Sequence, residues 1–481
     1  MIAATNIRYE LGQRVQGLAP GGLGALLLLA QRTGLITAID HDLHLLKVHL
    51  PYPESDHVLN IAFNLLAGGR RLEHLERLRT DEVDLNALGA VRIPDPTTAG
   101  DFCRRFQESD VLTVMEAIHT ARLRVWSQQR ADFFTEAILD VDGTVVGTDG
   151  ECTPGIDIAS NGVWGYHPLV ISLANTAEVL DLVNRSGNRP SQERAHVFLD
   201  QAIALCRRAG FPRRCLRGDT DFSQTEHLDR WDDAGDIRFL FGRDAHATLV
   251  ARAEGLAAAA SSFLERPPKY LVQTVPRDRP EPVKPAIVQK RNFVTIHTLE
   301  EMVAEFEYRP TACRRSYRVV VHRKRLGIDQ GAVRLREESR YFFFITNDRD
   351  TPANELVLKA NDRGDQENLI AQLKGGVHAL TTPVNDLVSH WASMVMASLA
   401  WTLKAWAALR LPAEPRHAAE HQAEKHAWLR REFATFQAAV IELPCQIVRS
   451  GRRLIDRLLS WKPWQGAVLR LVERLQGCWL Y

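Results

Sequence analysis

The chain has 481 residues, of which 45% are hydrophobic and 25% charged, and its Lys and Arg residues (60) nearly balance its Asp and Glu residues (59). This composition is that of a globular protein of about three domains, and it excludes a small binding module, a disordered chain and a fibrous protein. The net charge of +1 gives no overall sign of a polyanionic partner, but residues 266–340 and 449–481 carry a local excess of basic side chains that would suit one.

Helical periodicity marks the first 130 residues. Apolar residues recur at helical spacing from Val58 to Leu66, and a Gly68-Gly69 break follows. Pro96-Thr97-Thr98 can begin a short helix that leads to Arg104 and Arg105. Two helices joined by a tight turn, with exposed arginines, suit docking on DNA, although helical hairpins are common in all kinds of proteins. We keep both interpretations.

An α/β pattern follows this helical region. The run Ala137–Val146 alternates like a strand, and Ile156–Ala159 and Leu169–Ala174 predict further strands. A helix is predicted over Gln192–Ala209, and Arg214–Asp219 is predicted to be a short strand that ends at an acid. These elements together predict an α/β core with acidic residues at its strand ends.

A basic segment punctuated by proline interrupts this pattern over residues 243–345. Its runs at Tyr270–Val275, Arg318–His322 and Tyr341–Ile345 predict strands. The segment is therefore expected to be rich in β-structure.

Helical patterns return after Pro352, over residues 362–375 and 385–409, and a basic helical stretch is predicted to run to Tyr481. The uncharged run Leu387–Leu403 contains several Ser and Thr residues and falls short of about 20 apolar residues, which predicts a buried helix and no membrane span. The sequence shows no secretory signal, and its seven scattered cysteines form no C-x-x-C pair, which favours a reducing compartment. We therefore expect a cytoplasmic protein without a membrane partner.

Two acidic positions end predicted strands. Asp140 and Asp142 lie two residues apart on the first strand, so both side chains leave the same face, and Asp142 is followed by the turn-forming Gly143. Asp219 closes the second short strand. Each aspartate is also explained as an ordinary turn former.

A third acid lies on a predicted helix. At about 100° per residue, Arg363, Glu367 and Lys374 share one helix face. An acid flanked by two cations suits a two-metal phosphodiester site, in which carboxylates hold divalent ions and cations hold phosphates. The alternative interpretation is an exposed helix with an i, i+4 ion pair.

The order of these residues resembles that of the DDE transposases of bacterial insertion sequences, members of the ribonuclease-H-like superfamily. Their glutamate motif is Tyr, two residues, Arg, three residues, Glu, six residues, Lys, and Arg363, Glu367 and Lys374 match that spacing. The segment Arg217–Phe222 resembles the family's second-aspartate motif. Among these transposases the chain resembles the insertion-sequence-thirteen-eighty group, over about residues 50 to 460.

The chain departs from the family pattern at two positions. Ala360 stands where the family has the tyrosine of its glutamate motif, and Asp221 replaces the usual glycine of the second-aspartate motif. Asp142 is preferred over Asp140 because Asp142-Gly-Thr is similar to the family's first motif. Either Asp140 or Asp221 could still substitute for a chosen aspartate.

The resemblance implies an α/β fold with a ribonuclease-H-like catalytic core, a mixed sheet flanked by helices, interrupted by a β-rich insertion domain. Helical regions would lie at both ends of the chain. The expected domains are a helical N-terminal DNA-binding region (1–130), the first part of the core (131–242), the insertion domain (243–345), the second part of the core (346–412) and a basic helical C-terminal region (413–481).

The resemblance also implies a function. Asp142, Asp219 and Glu367 would bind two Mg²⁺ or Mn²⁺ ions, and DNA would be cut by water attack and joined by 3′-hydroxyl attack, without a covalent protein intermediate. Arg363 and Lys374 would contact DNA, as would Arg104 and Arg105 if the helical hairpin docks there. The partners would be the terminal inverted repeats and target DNA, and the protein would act as a homodimer near the nucleoid. A ribonuclease-H-like nuclease and a repressor of the element are the alternatives.

Other motifs point to other chemistry. The sequence His417-Ala-Ala-Glu420-His421 matches the inverted zincin motif, but it lies in a polar helical stretch without an evident third ligand. The group His41, Asp42, His44 and His49 could bind a metal but is more typical of a polar surface. Three tryptophans are candidates for stacking on a flipped base, although burial is the simpler expectation: Trp164, Trp231 and Trp391.

Overall fold

The computed structural model describes residues 16–47, 51–81, 83, 85, 88–148, 150, 153–257, 260–267, 283–450, 453–459 and 462–477. Within these residues the protein is a mixed α/β structure with one large mixed sheet and many helices. The predicted strand Tyr270–Val275 and the candidate ligand His49 lie outside the described residues.

Strands occur in three sheets. In chain order they are β1 (Gln16–Leu18), β2 (Ala137–Gly143), β3 (Val146–Gly147), β4 (Asp157–Ile158), β5 (Trp164–Tyr166), β6 (Leu169–Leu173), β7 (Glu178–Val183), β8 (Arg214–Gly218), β9 (Ile237–Arg243), β10 (Ser262–Phe263), β11 (Val294–Tyr308), β12 (Tyr317–Gln330), β13 (Val333–Thr346), β14 (Cys445–Ser450) and β15 (Arg453–Leu458).

The main sheet has nine strands in the order β10-β11-β12-β13-β9-β8-β2-β6-β7. Strand β8 pairs in parallel with both β2 and β9, and the other pairs are antiparallel. Strands β6, β7 and β8 are buried along their whole length. Burial on both faces agrees with the continuous apolar runs of β6 and the middle of β7, whereas the charged residues on β7 and β8 are buried, among them Glu178 and Arg217.

The predicted strands of the α/β pattern are confirmed, with small differences at their ends. Arg318–His322 and Tyr341–Ile345 are confirmed as the inner parts of the longer strands β12 and β13. The remaining part of β13 is mostly exposed and charged, and that of β12 begins with three consecutive basic residues, so neither shows the apolar alternation that predicts a strand. Strand β13 pairs with β9, so these long strands continue the sheet that carries Asp142.

Helices pack against several strands of this sheet. In chain order they are α1 (Leu23–Arg32), α2 (Leu35–Asp42), α3 (Glu54–Leu66), α4 (Leu75–Thr80), α5 (Pro96–Cys103), α6 (Glu108–Trp126), α7 (Ala195–Ala209), α8 (Thr225–Asp233), α9 (Ala247–Glu254), α10 (Val283–Lys290), α11 (Ala353–Asn361), α12 (Gly364–Ala371), α13 (Leu387–Arg410), α14 (Ala418–Arg430), α15 (Phe433–Phe436) and α16 (Gln465–Gln476).

Helix α13 forms the centre of the helical part of the fold. The Asp386 side chain accepts hydrogen bonds from the backbone N–H groups of Val388 and Ser389, which fixes the start of the helix. The helix packs against α3, α6, α14 and strand β7. Its length and apolar content would allow a membrane span, yet its most apolar window is entirely buried inside the protein. The prediction of a buried helix here is therefore confirmed.

The prediction of a helical C-terminal region is wrong for residues 445–450 and 453–458. These residues form the antiparallel strands β14 and β15, and β14 pairs with β1 near the start of the described chain. Cys445 and Ile447 are buried on alternate positions of β14. The pairing partner lies more than 400 residues away, so local periodicity could not reveal it, whereas α16 follows as a helix.

A buried carboxylate joins three elements of the core. Glu178, on β7, accepts hydrogen bonds from Arg122 Nε (3.2 Å) and Trp126 Nε1 (2.8 Å) of α6, from Trp406 Nε1 of α13 (2.7 Å), and from Thr176 Oγ1 (2.8 Å). Both carboxylate oxygens are thus satisfied although Glu178 is fully buried. This group fixes the N-terminal helices against the edge of the main sheet.

Replacing Glu178 with Ala is expected to lower the free energy of unfolding by about 3–5 kcal/mol, because it leaves the buried Arg122 without its counter-charge. Urea unfolding followed by circular dichroism measures the change. Glu116→Ala is the matched control, since Glu116 pairs with Arg208 on the surface at 2.7 Å and is expected to cost less than about 1 kcal/mol. Equal costs in the two variants would contradict the role given to Glu178.

Candidate active site

Parallel pairing of β2 and β8 brings two acidic residues to one edge of the main sheet. Asp142 lies near the carboxyl end of β2, and Asp219 directly follows β8. The Cα partners of the two strands include Asp140 with Arg217, so each acid lies two residues beyond this pair. Because parallel strands end at the same edge, Asp142 and Asp219 are neighbours.

Asp140 and Asp142 have different surroundings. The carboxylate of Asp140 is buried and accepts two hydrogen bonds from the Arg217 guanidinium, at 2.6 and 2.7 Å. Asp142 is only partly buried, and its Oδ1 accepts a bond from the Gly143 backbone N–H (2.8 Å). The Arg217 pair leaves Asp140 little capacity to bind an ion, so the geometry favours Asp142 as the functional residue.

Asp219 forms the cap of a short 3₁₀ helix, Thr220–Phe222. Its Oδ1 accepts a hydrogen bond from the backbone N–H of Asp221 at 3.0 Å. The Asp221 side chain is exposed, whereas Asp219 lines a cavity with Glu367. This arrangement favours Asp219 over Asp221.

Helix α12 carries Glu367 to the same strand end. Its buried Gln366 donates from Nε2 to the Val170 carbonyl oxygen (3.0 Å) and accepts a bond from Ser172 Oγ, and both partners lie on β6 beside β2. Leu369 and Ile370 of the same helix are also buried. The next residue after Gln366, Glu367, therefore lies above the end of β2.

One arginine bridges the strand acid and the helix acid. Arg363, which caps α12, donates from Nη1 to Asp142 Oδ2 at 3.1 Å and from Nη2 to Glu367 Oε1 at 3.3 Å. The predicted i, i+4 pair of Arg363 with Glu367 is thus confirmed. Asp142 and Glu367, which are far apart in sequence, lie close enough to share one guanidinium.

Lys374 also lies near the end of β2, but it belongs to the turn that follows α12 and not to the helix itself. The chain after α12 forms a π-helical turn, Gln372–Gly376, in which the 100° step per residue no longer holds. The Lys374 ammonium donates to the carbonyl oxygen of Val145 at 2.7 Å, just beyond Asp142. It therefore supports the loop that follows Asp142, a position that a simple helical wheel does not predict.

The acids influence one another electrostatically. Burial raises the pKa of Asp142 to about 6, with the nearby charges of Asp219 and Glu367 adding to the rise and Arg363 opposing it. Burial, and then repulsion from Asp221, also raises the pKa of Asp219, and Arg363 again opposes the rise. A cluster of acids with raised pKa values beside one arginine is typical of a functional site.

A cavity of about 470 Å³ opens beside these residues. Its walls include Asp219, Arg363 and Glu367 from the acidic cluster and Arg243 from the end of β9. Ala360 lies in the same wall. The cavity is therefore lined by acids that could bind metal and by arginines that could bind phosphate. Aromatic residues of β13 also line it: Tyr341, Phe342, Phe343 and Phe344.

The donor set of the acidic cluster fits a hard divalent cation, because Mg²⁺ and Mn²⁺ prefer carboxylate oxygens. Among the residues that the structure describes, no group of three or more His, Cys, Asp or Glu side chains is arranged to hold a metal ion. The Arg363 guanidinium lies between Asp142 and Glu367 instead. The acids fit the ions chemically, and Arg363 supplies the positive charge in this arrangement.

The other metal candidates find no support in the described part of the chain. His417 and Glu420 form an exposed pair at 3.6 Å, and His421 accepts a hydrogen bond from the Glu414 backbone N–H. His41 contacts its neighbour Asp42 on the surface. The inverted zincin motif is therefore an ordinary feature of a polar helix.

The predicted hairpin with two arginines is present as α5 and α6. Asp95 caps α5, accepting from the Thr98 backbone N–H, so the cap lies one residue before the predicted segment. Arg104 pairs with Asp101 at 2.6 Å and donates to Asn385 Oδ1 at 3.2 Å, and Arg105 is exposed.

The three candidate tryptophans have different environments. Trp231 and Trp391 are buried, as expected, and each ring N–H is hydrogen-bonded. Trp164 is 45% exposed on β5, in a small sheet with β3 and β4 that follows β2 in the chain. Of the three, only Trp164 is accessible to a partner.

Sequence reasoning missed two residues that position the site. Arg217 belongs to the quoted second-aspartate motif, but its pairing with Asp140 could be inferred only from the strand register. Gln366 precedes Glu367 and anchors the helix, yet a single glutamine in a polar helix gives no signal.

Comparison with known proteins identifies the family of the chain. The family described as "Transposase DDE domain group 1" matches residues 12–478. No curated protein matches the chain. A cryo-EM structure of the piggyBac transposase synaptic complex with hairpin DNA aligns with 88% of this chain and 81% of its own, with 9% sequence identity and a TM-score of 0.37, a similarity too distant to carry an argument.

The raised pKa of Asp142 predicts a dependence of stability on pH. The folded protein binds the Asp142 proton more tightly than the unfolded chain, so ionisation costs stability as pH rises from about 4 to about 6. Asp142→Asn is therefore expected to be more stable than the wild type above pH 7, by about 1–3 kcal/mol, with the difference shrinking towards pH 4.

Urea unfolding of both proteins across this pH range measures the difference. Asp132→Asn, at an exposed residue 3.7 Å from Arg130, is the control for removing one surface charge. A difference that is constant with pH would contradict the assigned environment of Asp142.

Proposed function

Because the chain belongs to the transposase DDE domain group 1 family, and is thus an enzyme that acts on DNA, we propose that it is the transposase of a bacterial insertion sequence. It binds the terminal inverted repeats of its own element and catalyses metal-dependent cleavage and strand transfer. It belongs to the ribonuclease-H-like group with the Tyr-Arg-Glu-Lys motif, in which Ala360 replaces the tyrosine. The insertion-sequence-thirteen-eighty group is the proposed branch.

One observation carries this proposal. The guanidinium of Arg363 contacts Asp142 on β2 and Glu367 on α12, and Asp219 follows the neighbouring parallel strand. Three acids from distant parts of the sequence thus meet at the end of one sheet. Their order and the Arg363–Glu367–Lys374 spacing agree with the family motif.

Each residue of the cluster has a proposed role. Asp142, Asp219 and Glu367 would hold two divalent ions, Mg²⁺ or Mn²⁺. When bound, such ions activate the attacking oxygen and stabilise the leaving oxygen in phosphodiester chemistry. Arg363 and Lys374 lie at the same strand end and would contact the DNA backbone.

DNA would approach through the cavity beside Glu367. Arginine and aromatic side chains in its wall suit phosphates and bases, respectively. Arg104 and Arg105, after α5, and the exposed Trp164 are proposed as further DNA contacts. Because Trp164 is 45% exposed, a base could stack on its ring.

The remaining parts of the proposal concern the whole chain. A ribonuclease-H-like core is assigned to residues 131–242 and 346–412, interrupted by an insertion domain at 243–345. Residues 1–130 would bind DNA, and 413–481 would form the basic C-terminal region. The protein would act as a homodimer on its DNA ends, in the cytoplasm at the nucleoid.

Replacing any of the three acids is expected to abolish cleavage while leaving binding to DNA ends within about twofold of the wild type, because the ligands are lost but the basic contacts remain. The variants are Asp142→Asn, Asp219→Asn and Glu367→Gln, tested on a duplex carrying the gene's own flanking sequences with Mg²⁺. Gel assays separate cleaved, joined and merely bound DNA.

The same assay distinguishes the alternatives. A stand-alone nuclease would cut the duplex but never join it, and a repressor would bind it without cutting. The exposed variant Asp132→Asn is the control and should retain full activity. Normal cleavage by any one of the three acid variants would contradict the assigned site.

Arg105→Ala is expected to weaken binding to the same duplex and to lower the slope of log K against log salt by about 1, as the loss of one phosphate contact requires. Arg105 is exposed on the hairpin of α5 and α6. Binding is measured by fluorescence anisotropy at several salt concentrations. The control is Arg207→Ala, at a surface arginine paired with Asp236, and an unchanged slope for Arg105→Ala would exclude this contact.

A further inference from the structure

The Arg363 guanidinium takes the place of a cation among the acids. It lies 3.1 Å from Asp142 Oδ2 and 3.3 Å from Glu367 Oε1, and its charge also acts on Asp219. One arginine therefore serves as counter-charge for three carboxyl groups at once.

The oxygens of Asp142 are both engaged in this arrangement. Oδ1 accepts from the Gly143 backbone N–H, and Oδ2 accepts from Arg363. One oxygen of Asp219 likewise accepts from the Asp221 backbone N–H. An ion that bound Asp142 through Oδ2 would meet the guanidinium there, and two cations in contact with one oxygen repel each other.

We propose that Arg363 is an internal counter-cation that holds Asp142 and Glu367 together before divalent ions bind and that competes with the first ion for Asp142 Oδ2. Ion binding then requires the guanidinium to leave this oxygen. Arg363 acts through the acids, so it is a positioning residue in this step. The inference rests on the proposed function, since it takes the acids as the metal ligands.

The surroundings of Arg363 allow such a movement. Its contact with Glu367 is an i, i+4 pair in which the Glu367 side chain is 66% exposed, and pairs of this kind contribute only about 0.3–0.5 kcal/mol. The cavity of about 470 Å³ lies beside Arg363 and offers the side chain room. The contact with the half-buried Asp142 is therefore the main interaction that an ion must replace.

Arg217, the other arginine near the acids, is held more firmly than Arg363. Arg217 donates two bonds to Asp140 and one to the Lys359 carbonyl oxygen, and its side chain is 4% exposed. The Arg363 side chain is 21% exposed, and its hydrogen bonds to Asp142 and Glu367 both go to carboxylates of the cluster. Arg217 is built into the core, whereas Arg363 sits at the surface of the site.

The test is calorimetric titration of the full-length protein with Mn²⁺ in the absence of DNA. Arg363→Gln is expected to bind Mn²⁺ about three- to tenfold more tightly than the wild type, because a competing charge is removed. Arg363→Lys keeps the charge but lacks the fork that reaches both acids, so its affinity should rise by less, about twofold. Arg207→Gln removes one paired surface charge far from the acids and should leave the affinity unchanged.

A second readout is the thermal unfolding midpoint with and without Mn²⁺. Mn²⁺ should raise the midpoint more for Arg363→Gln than for the wild type, as tighter binding requires. This comparison also shows whether each variant folds. If Arg363→Gln does not fold, Arg363→Lys decides the matter, and an affinity equal to or below that of the wild type overturns the proposal.

Asp142→Asn separates this inference from the proposed function. Loss of Mn²⁺ binding in Asp142→Asn, together with tighter binding in Arg363→Gln, supports both. Loss of binding in Asp142→Asn with unchanged or weaker binding in Arg363→Gln overturns the counter-cation role alone. Equal Mn²⁺ binding by the wild type and Asp142→Asn overturns the metal site itself, and the inference with it.

Discussion

The buried ion pair between Asp140 and Arg217 is the interaction on which the geometry of the acidic cluster depends. These residues are Cα partners on the parallel strands β2 and β8, they are 1% and 3% exposed, and two hydrogen bonds join their side chains. Two residues further along each strand lie Asp142 and Asp219. A third bond of Arg217 goes to the Lys359 carbonyl oxygen near the end of α11.

One guanidinium thus ties together the three elements from which the cluster is built. The chain continues from Lys359 through Arg363 to Glu367, so the bond to Lys359 also limits where α12 can lie. A buried ion pair is weak evidence of net stabilisation, because desolvation offsets much of the attraction. The ion pair instead fixes position, since a shift of β2 against β8 by one residue would break the pair and turn Asp142 to the opposite face from Asp219.

This arrangement of strands brings several carboxylates close together, and a second arginine, Arg363, compensates their negative charge. Burial and mutual repulsion raise the pKa of Asp142 to about 6, and Arg363 opposes that rise. The acids would separate or stay protonated without a counter-charge, and Arg363 provides one from the start of α12. The fold therefore separates two tasks between two arginines: Arg217 sets the register, and Arg363 balances the charge that the register creates.

The sequence revealed the acids themselves but little of what holds them. Asp142, Asp219 and the Arg363–Glu367 pair are encoded in short local patterns, so spacing and strand ends could predict them. Three other features depend on contacts between distant segments or on a local change of helical step. They are the hydrogen bonds of Gln366 to β6, the π-helical turn at Lys374 and the pairing of β14 with β1. Periodicity reports which face of an element is apolar, and it contains no information about the partner that covers that face.

Contacts between distant segments also determine which side chains surround Ala360. The motif that the sequence resembles has a tyrosine at this position, and alanine offers no aromatic ring. In the structure Ala360 lines the cavity beside Glu367, and the same cavity is lined by Tyr341 and Phe342 from β13. Strand β13 reaches this place because it pairs with β9, next to β8. The aromatic surface next to the acids is thus supplied by the strand that extends the sheet, and a substitution that looks like a loss in the motif is accompanied by rings from another element.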